Sequence, residues 1–237
     1  MGGIIKQERG IIVATDVADM KKFADLVQGV CDVEGVEAVK IGAALTIRYG
    51  LPALLEEVRG TGLKSILDLQ KGGTDIPETG REILGAAKST GLDAFIAFHM
   101  TGPASQERWI TDAKEIGIGL ISGLDMTHPK YRLSEGGYLS DSSFDDAYLL
   151  SARKGISNFV VPGNSPERIR HYHSLLETEV ENISLYAPGF ITQGGEITAA
   201  AKAAGESWYA IIGRAIYSSR DPHEAAKDLA AQILKDR

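Results

Sequence analysis

The chain has one cysteine, Cys31, in 237 residues, which excludes an internal disulfide and any metal cage built from thiolates. That cysteine lies within a helical pattern and reads as packing. No apolar run approaches membrane-spanning length, and the opening Met1-Gly-Gly-Ile-Ile-Lys-Gln-Glu-Arg-Gly10 carries no cleavage signature, so no membrane partner and a cytoplasmic location are expected. Positive charge is also short. A net charge of -7 argues against a general nucleic-acid or membrane-surface binder, while leaving room for a small anion held by local Lys and Arg. The five histidines show no metal-ligand spacing, so no metal site is expected. There is no linker or low-complexity tract, and residues 1–237 read as a single domain. No Gly-x-Gly-x-x-Gly follows the first apolar run, which passes directly into Ala14-Thr15-Asp16 and so speaks against a dinucleotide-binding open sheet.

What the chain does have is a regular alternation. Short, β-branched apolar runs at Ile11–Ala14, Ala38–Ile41, Ser65–Leu69, Ala94–Phe98, Ile118–Ser122, Asn158–Val161, Ile183–Tyr186 and Trp208–Ile212 read as eight strands. Longer amphipathic stretches separate them, including Asp19–Val30, Ile76–Ser89, Pro166–Glu177 and Pro222–Leu234. Strands apolar on both faces need helices on both sides or a closed sheet, and eight βα units at this length fit an α/β fold of the (β/α)8 TIM-barrel type.

A barrel of this kind places its chemistry at the C-terminal strand ends. Those ends carry Asp16, Lys40, Asp68 with Lys71 and Asp75 after it, His99, and Asp125-Met-Thr127-His-Pro129. The seventh and eighth strands lead to Pro188-Gly189, Gln193-Gly194-Gly195 and Gly213-Arg214. Glycine-rich turns in those two positions match the phosphate site of such barrels, where backbone N–H groups and a guanidinium receive an anion. Asp68, Lys71 and Asp75 form the densest charge cluster. Taken alone it reads equally as a solvated turn, but at the end of a buried strand its charges must pair or face a cleft. His99 and His128 read as structural or rim residues, and His171 and His173 as helix-surface residues. The stretch 131–141 after strand five is too long for a plain connection and reads either as a lid or as a disordered surface loop.

Asp16 after Ile12-Val-Ala-Thr, Val39-Lys40-Ile-Gly42, Asp75-Ile-Pro-Glu-Thr79, Met126-Thr-His-Pro129, Gln193-Gly-Gly195 and Ile212-Gly-Arg-Ala-Ile-Tyr217, in this order, resemble the orotidine 5′-monophosphate decarboxylase family. The resemblance covers about the whole chain. It implies a cofactor-free enzyme that converts orotidine monophosphate to UMP and CO2, and a homodimer with its sites at the subunit interface. By the same resemblance Lys40, Asp68, Lys71 and Asp75 form an alternating charged array in which Lys71 protonates C6. Asp16 binds the ribose and Thr127 the pyrimidine edge. Gln193, Gly194, Gly195, Gly213 and Arg214 hold the phosphate, and Asp75 and Thr79 come across the interface.

The chain departs from the family in two places. The family's Asp-x-Lys-x-x-Asp becomes Asp68-x-x-Lys71-x-x-x-Asp75, two residues longer, and Ile191 stands where a small residue is common. An alignment without a gap, anchored on Asp75, would put Gln70 and Gly72 at the Asp and Lys positions; a gap after Asp68 keeps the pair. Two other readings share the scaffold: a metal-dependent sugar-phosphate lyase of the hexulose-phosphate synthase or keto-gulonate-phosphate decarboxylase type, and a non-catalytic nucleotide-phosphate binder.

Overall fold

Eight parallel strands close on themselves in chain order: β1 Arg9–Ala14, β2 Val36–Gly42, β3 Lys64–Asp68, β4 Ala94–Phe98, β5 Gly119–Gly123, β6 Asn158–Val160, β7 Ser184–Pro188 and β8 Trp208–Ile212. β8 pairs with β1, with Ile11 opposite Ala210, so no sheet edge is left open. The computed structural model describes residues 4–69, 75–189 and 201–235. Outside the strands lie α1 Met20–Val30, α2 Ala43–Tyr49, α3 Leu51–Val58, α4 Gly80–Ser89, α5 Pro103–Ile116, α6 Ser142–Arg153, α7 Pro166–Glu177, α8 Arg214–Tyr217 and α9 Pro222–Lys235. The expected TIM barrel is therefore present. None of the described helices is long and apolar enough to cross a membrane.

Local chemistry accounts for the boundaries. Asp19 caps α1 by accepting from the Lys22 N–H at 2.9 Å, and Ser165 caps α7 ahead of Pro166. The helix expected from Ile76 onward begins later: Ile76, which precedes Pro77, is extended at φ -61 and ψ 158, a 3-10 turn covers Pro77–Thr79, and α4 starts at Gly80. The seventh strand also starts and ends later than its apolar run, reaching Pro188.

Strand periodicity separates two cores. Ile12, Ala14, Ala38, Ile66, Ile96, Phe98, Ile121, Val160, Tyr186, Tyr209 and Ile211 fill the barrel interior, while Ile11, Val13, Val39, Ile41, Leu67, Phe95, Ala97, Leu120 and Ile212 pack outward against helices. The lower end of the barrel is closed by the chain's own beginning. Ile5 is buried in the interior cluster with Ile4 packed beside it, and the Tyr209 hydroxyl donates to the Gln7 carbonyl at 2.5 Å. The charged groups Lys40 and Asp68 lie at the opposite end, where β2 and β3 finish.

Candidate active site

The same alternation aims the site residues. On β2, Ala38 faces inward and Val39 and Ile41 outward, so Lys40 faces inward; on β3, Ile66 faces inward and Asp68 follows two residues later. The two meet over the interior. Lys40 Nζ donates to Asp68 Oδ2 at 2.7 Å, with the side chains only 9% and 8% exposed. Asp16, two residues beyond the inward Ala14, brings Oδ1 to 3.7 Å from the same ammonium while its carboxylate stays half exposed. Thr15 is buried and donates both its N–H and Oγ1 to the Lys40 carbonyl at 3.0 Å, locking the end of β1 to β2. Close approach explains Gly42: a Cβ there would lie 2.6 Å from Asp16 Oδ1.

These groups border a cavity of about 690 Å³ at the C-terminal mouth. Its floor is apolar, from Ala14, Ile96, Phe98, Val160 and Ile211, and its walls include Asp125, Met126, Thr127, Gly189, Gly213, Arg214 and Tyr217. Arg214 opens α8 directly after β8, and no carboxylate among the described residues pairs with its guanidinium. A cation left unpaired at the mouth is available to an anion. Thr127 is held by its backbone, since Asn164 Nδ2 donates to its carbonyl at 3.3 Å. Gly189 lies at φ +94, and a Cβ there would stand 3.1 Å from Thr127 Cγ2, so only glycine lets the end of β7 approach this closely.

The sequence-predicted residues thus divide three ways. Asp16, Lys40, Asp68, Thr127, Gly213 and Arg214 come together around one cavity. Asp75 and Thr79 do not border it. Asp75 is exposed, its carboxylate accepts from the next N–H, of Ile76, at 2.7 Å, and its carbonyl accepts from Thr101 Oγ1 and Ser105 Oγ. Thr79 Oγ1 donates to the Ile76 carbonyl. Lys71, Gln193, Gly194, Gly195 and Ile191 lie outside the described residues. No cluster of three or more His, Cys, Asp or Glu among the described residues could hold a metal ion.

Two strand-end residues named in the sequence take structural positions, His99 as expected and Asp125 with partners that the sequence did not indicate. His99 is 4% exposed and sits one step out of the inward phase of β4, so it points into the barrel–helix layer. Neither ring nitrogen finds a partner among the described residues, and burial pulls its pKa down to about 4. The second is Asp125, whose carboxylate is fully buried and receives Arg132 and Tyr172. Arg132 follows on the same connection, whereas Tyr172 comes from α7, 47 residues on, and spacing does not reveal it. The stretch 131–141 is folded: Leu133 N–H bonds the Leu139 carbonyl at 2.7 Å, and Ser134 donates both N–H and Oγ to Asp141.

Comparison with protein-family models matches residues 9–229 to the family described as orotidine 5′-phosphate decarboxylase / HUMPS. The chain belongs to that family. Among curated relatives, the orotidine 5′-phosphate decarboxylase of Thermococcus kodakarensis is 31% identical over 97% of this chain and 99% of its own length. That of Pyrococcus furiosus is 32% identical over 94% of this chain and 97% of its own length. The crystal structure of orotidine 5′-monophosphate decarboxylase from Methanocaldococcus jannaschii, complexed with inhibitor BMP, superposes with a TM-score of 0.82 at 25% identity over 96% of this chain and 99% of that one. The family match accounts for the barrel and for the position of its charged mouth. Within the lengthened motif, β3 ends at Asp68, which pairs with Lys40.

Proposed function

We propose that this chain decarboxylates orotidine 5′-monophosphate to UMP and CO2, as its curated relatives are named for doing. The observation that carries the reading is the buried Lys40–Asp68 pair, with Asp16 beside it, at the mouth of a barrel whose eighth strand leads to Arg214, which pairs with no carboxylate among the described residues. In this reading the phosphate rests on Arg214 and Gly213, joined by Gln193, Gly194 and Gly195, while Asp16 takes the ribose hydroxyls and Thr127 the pyrimidine edge. Asp68 lies against the substrate carboxylate. The C6–carboxylate bond breaks, its electron pair stays on C6, CO2 departs, and the Lys71 ammonium delivers a proton to C6 before recovering one from water. Fixed ammonium groups oriented by carboxylates stabilise the developing charge without the reorganisation that water would require.

A second copy of the chain completes the site in this proposal. Asp75 and Thr79 lie off the cavity of their own chain, and the exposed Ile76 and Met100, 57% and 51% accessible, flank them on the same rim. Apolar side chains left open beside a charged catalytic residue fit an isologous dimer that places each Asp75 in its neighbour's mouth.

The test is direct. Purified protein is incubated with orotidine monophosphate and the loss of its ultraviolet absorbance is followed; Lys71→Ala is expected to abolish turnover while leaving UMP affinity largely intact. Absence of turnover at high enzyme concentration, or Mg2+-dependent turnover of a ketose phosphate in its place, would overturn the assignment.

A further inference from the structure

The connection between β5 and α6 carries Thr127, and it is tied down from beneath by a buried charge. Asp125 has no exposed carboxylate surface, yet it receives Arg132 through Nη2 at 2.6 Å and Nε at 3.3 Å, the Tyr172 hydroxyl at 2.9 Å and the Met126 N–H at 3.0 Å. Arg132 is itself 17% exposed, donates from Nη2 to the Tyr172 hydroxyl at 2.8 Å, and lays its guanidinium 4.2 Å from the centre of the Phe144 ring. Arg168 adds a cation 3.6 Å from Asp125, is balanced by Glu135 at 2.7 Å, and donates to the Met126 carbonyl at 3.4 Å.

The consequence falls on Thr127. The backbone before it is held on both sides, by Asp125 at the Met126 N–H and by Arg168 at the Met126 carbonyl, and its own carbonyl is held by Asn164. Arg132 lies further along the same connection, so its bond to Asp125 folds the loop back onto its root. Tyr131, beside it, donates to the Leu124 carbonyl at 2.9 Å and packs on Phe144. A carboxylate buried with this many donors is costly to leave unpaired, so the loop is kept in one arrangement.

Resting on the nucleotide reading of the cavity, we infer that Arg132, acting through Asp125, is a positioning residue that holds Thr127 against the cavity before a ligand arrives. The connection is then a preset wall, and binding does not have to order it.

Three variants test this: Arg132→Met, which keeps the apolar stem; Asp125→Asn; and the two combined. Affinities for UMP and for ribose 5-phosphate are measured side by side, because only UMP carries the base that Thr127 reads. Arg132→Met is expected to weaken UMP by roughly 30- to 100-fold while changing ribose 5-phosphate by less than about threefold. The double variant leaves less uncompensated charge and should recover thermal stability without recovering the UMP preference. General damage to the fold would lower both affinities together and would follow stability, which overturns the inference; so would unchanged UMP affinity in a folded Arg132→Met protein. Chymotryptic cleavage after Tyr131 gives a readout independent of substrate: slow in the parent, at least tenfold faster in Arg132→Met. If the parent protein binds neither UMP nor orotidine monophosphate, the nucleotide reading fails, and the cleavage rates alone decide whether Arg132 pins the loop.

Discussion

Replacing Lys40 by Met should destabilise the protein strongly, although methionine is the more hydrophobic side chain. At 2.7 Å the Lys40–Asp68 attraction amounts to about 6 kcal/mol at an effective dielectric constant of 20. The hydration each ion gives up offsets most of that, so the intact pair contributes little net stability. Removing only the ammonium takes from the buried Asp68 carboxylate, 8% exposed, the donor 2.7 Å away while the cost of burial stays, a loss of up to about 3–5 kcal/mol. For a chain of this length that corresponds to roughly 6–20 °C in melting temperature. The double variant Lys40→Met/Asp68→Leu removes both buried charges and should lie close to the parent, giving a coupling energy of at least about 2 kcal/mol, while all three variants lack activity. Urea midpoints at pH 7.5 with melting curves at one scan rate supply the cycle. A Lys40→Met protein that melts with the parent, or a double variant showing the plain sum of the single losses, would refute the claim that this pair is buried and mutually dependent.

Other expected outcomes follow from the same geometry. Arg214→Ala should weaken UMP and ribose 5-phosphate alike, by roughly 10- to 100-fold, and leave the affinity for the unphosphorylated nucleoside unchanged, as titration calorimetry will show. Mixing Lys71→Ala with Asp75→Asn, each inactive alone, should restore about a quarter of parent activity, because half of the randomly paired dimers then hold one intact site; continued inactivity after subunit exchange argues against a shared site. His99, whose pKa burial lowers from 6.5 to about 4, stays neutral in the fold while the unfolded chain takes up its proton near 6.5. Its contribution to stability is therefore complete above pH 6.5 and is lost as pH falls toward 4, about 3 kcal/mol in all. In urea unfolding at successive pH values, His99→Leu should flatten that slope whatever it does to stability at pH 7.

The barrel and part of its mouth were legible in the sequence because eight short runs apolar on both faces alternate with amphipathic stretches, and charged residues close those runs. A strand buried on both faces hides its phase, so Lys40 and Asp68 stood out as charges at the ends of apolar runs, and the structure adds that they are in phase with the inward Ala38 and Ile66. The phase also explains His99, one step out of register with Phe98 and hence in the helix layer. Helix starts were less legible, since Pro77 delayed α4 by a turn that composition alone does not announce. Least legible was the support beneath Thr127. Asp125 and Arg132 lie on the β5–α6 connection and Asn164, Arg168 and Tyr172 on and just before α7, and no local pattern joins the two stretches; the fold does. Asp125 offered the one available signal, a carboxylate two residues past a buried strand, where a charge must find partners from elsewhere.

The stopper formed by Ile4 and Ile5 has a bearing on traffic. With the interior filled by Tyr186 and Tyr209 above it, the barrel is a blind vessel, and whatever is made at its mouth leaves by the door through which the nucleotide came. Carbon dioxide and nucleotide would then share one opening, the cavity at the C-terminal mouth. Turnover then becomes a question of the order of departure as well as of bond breaking.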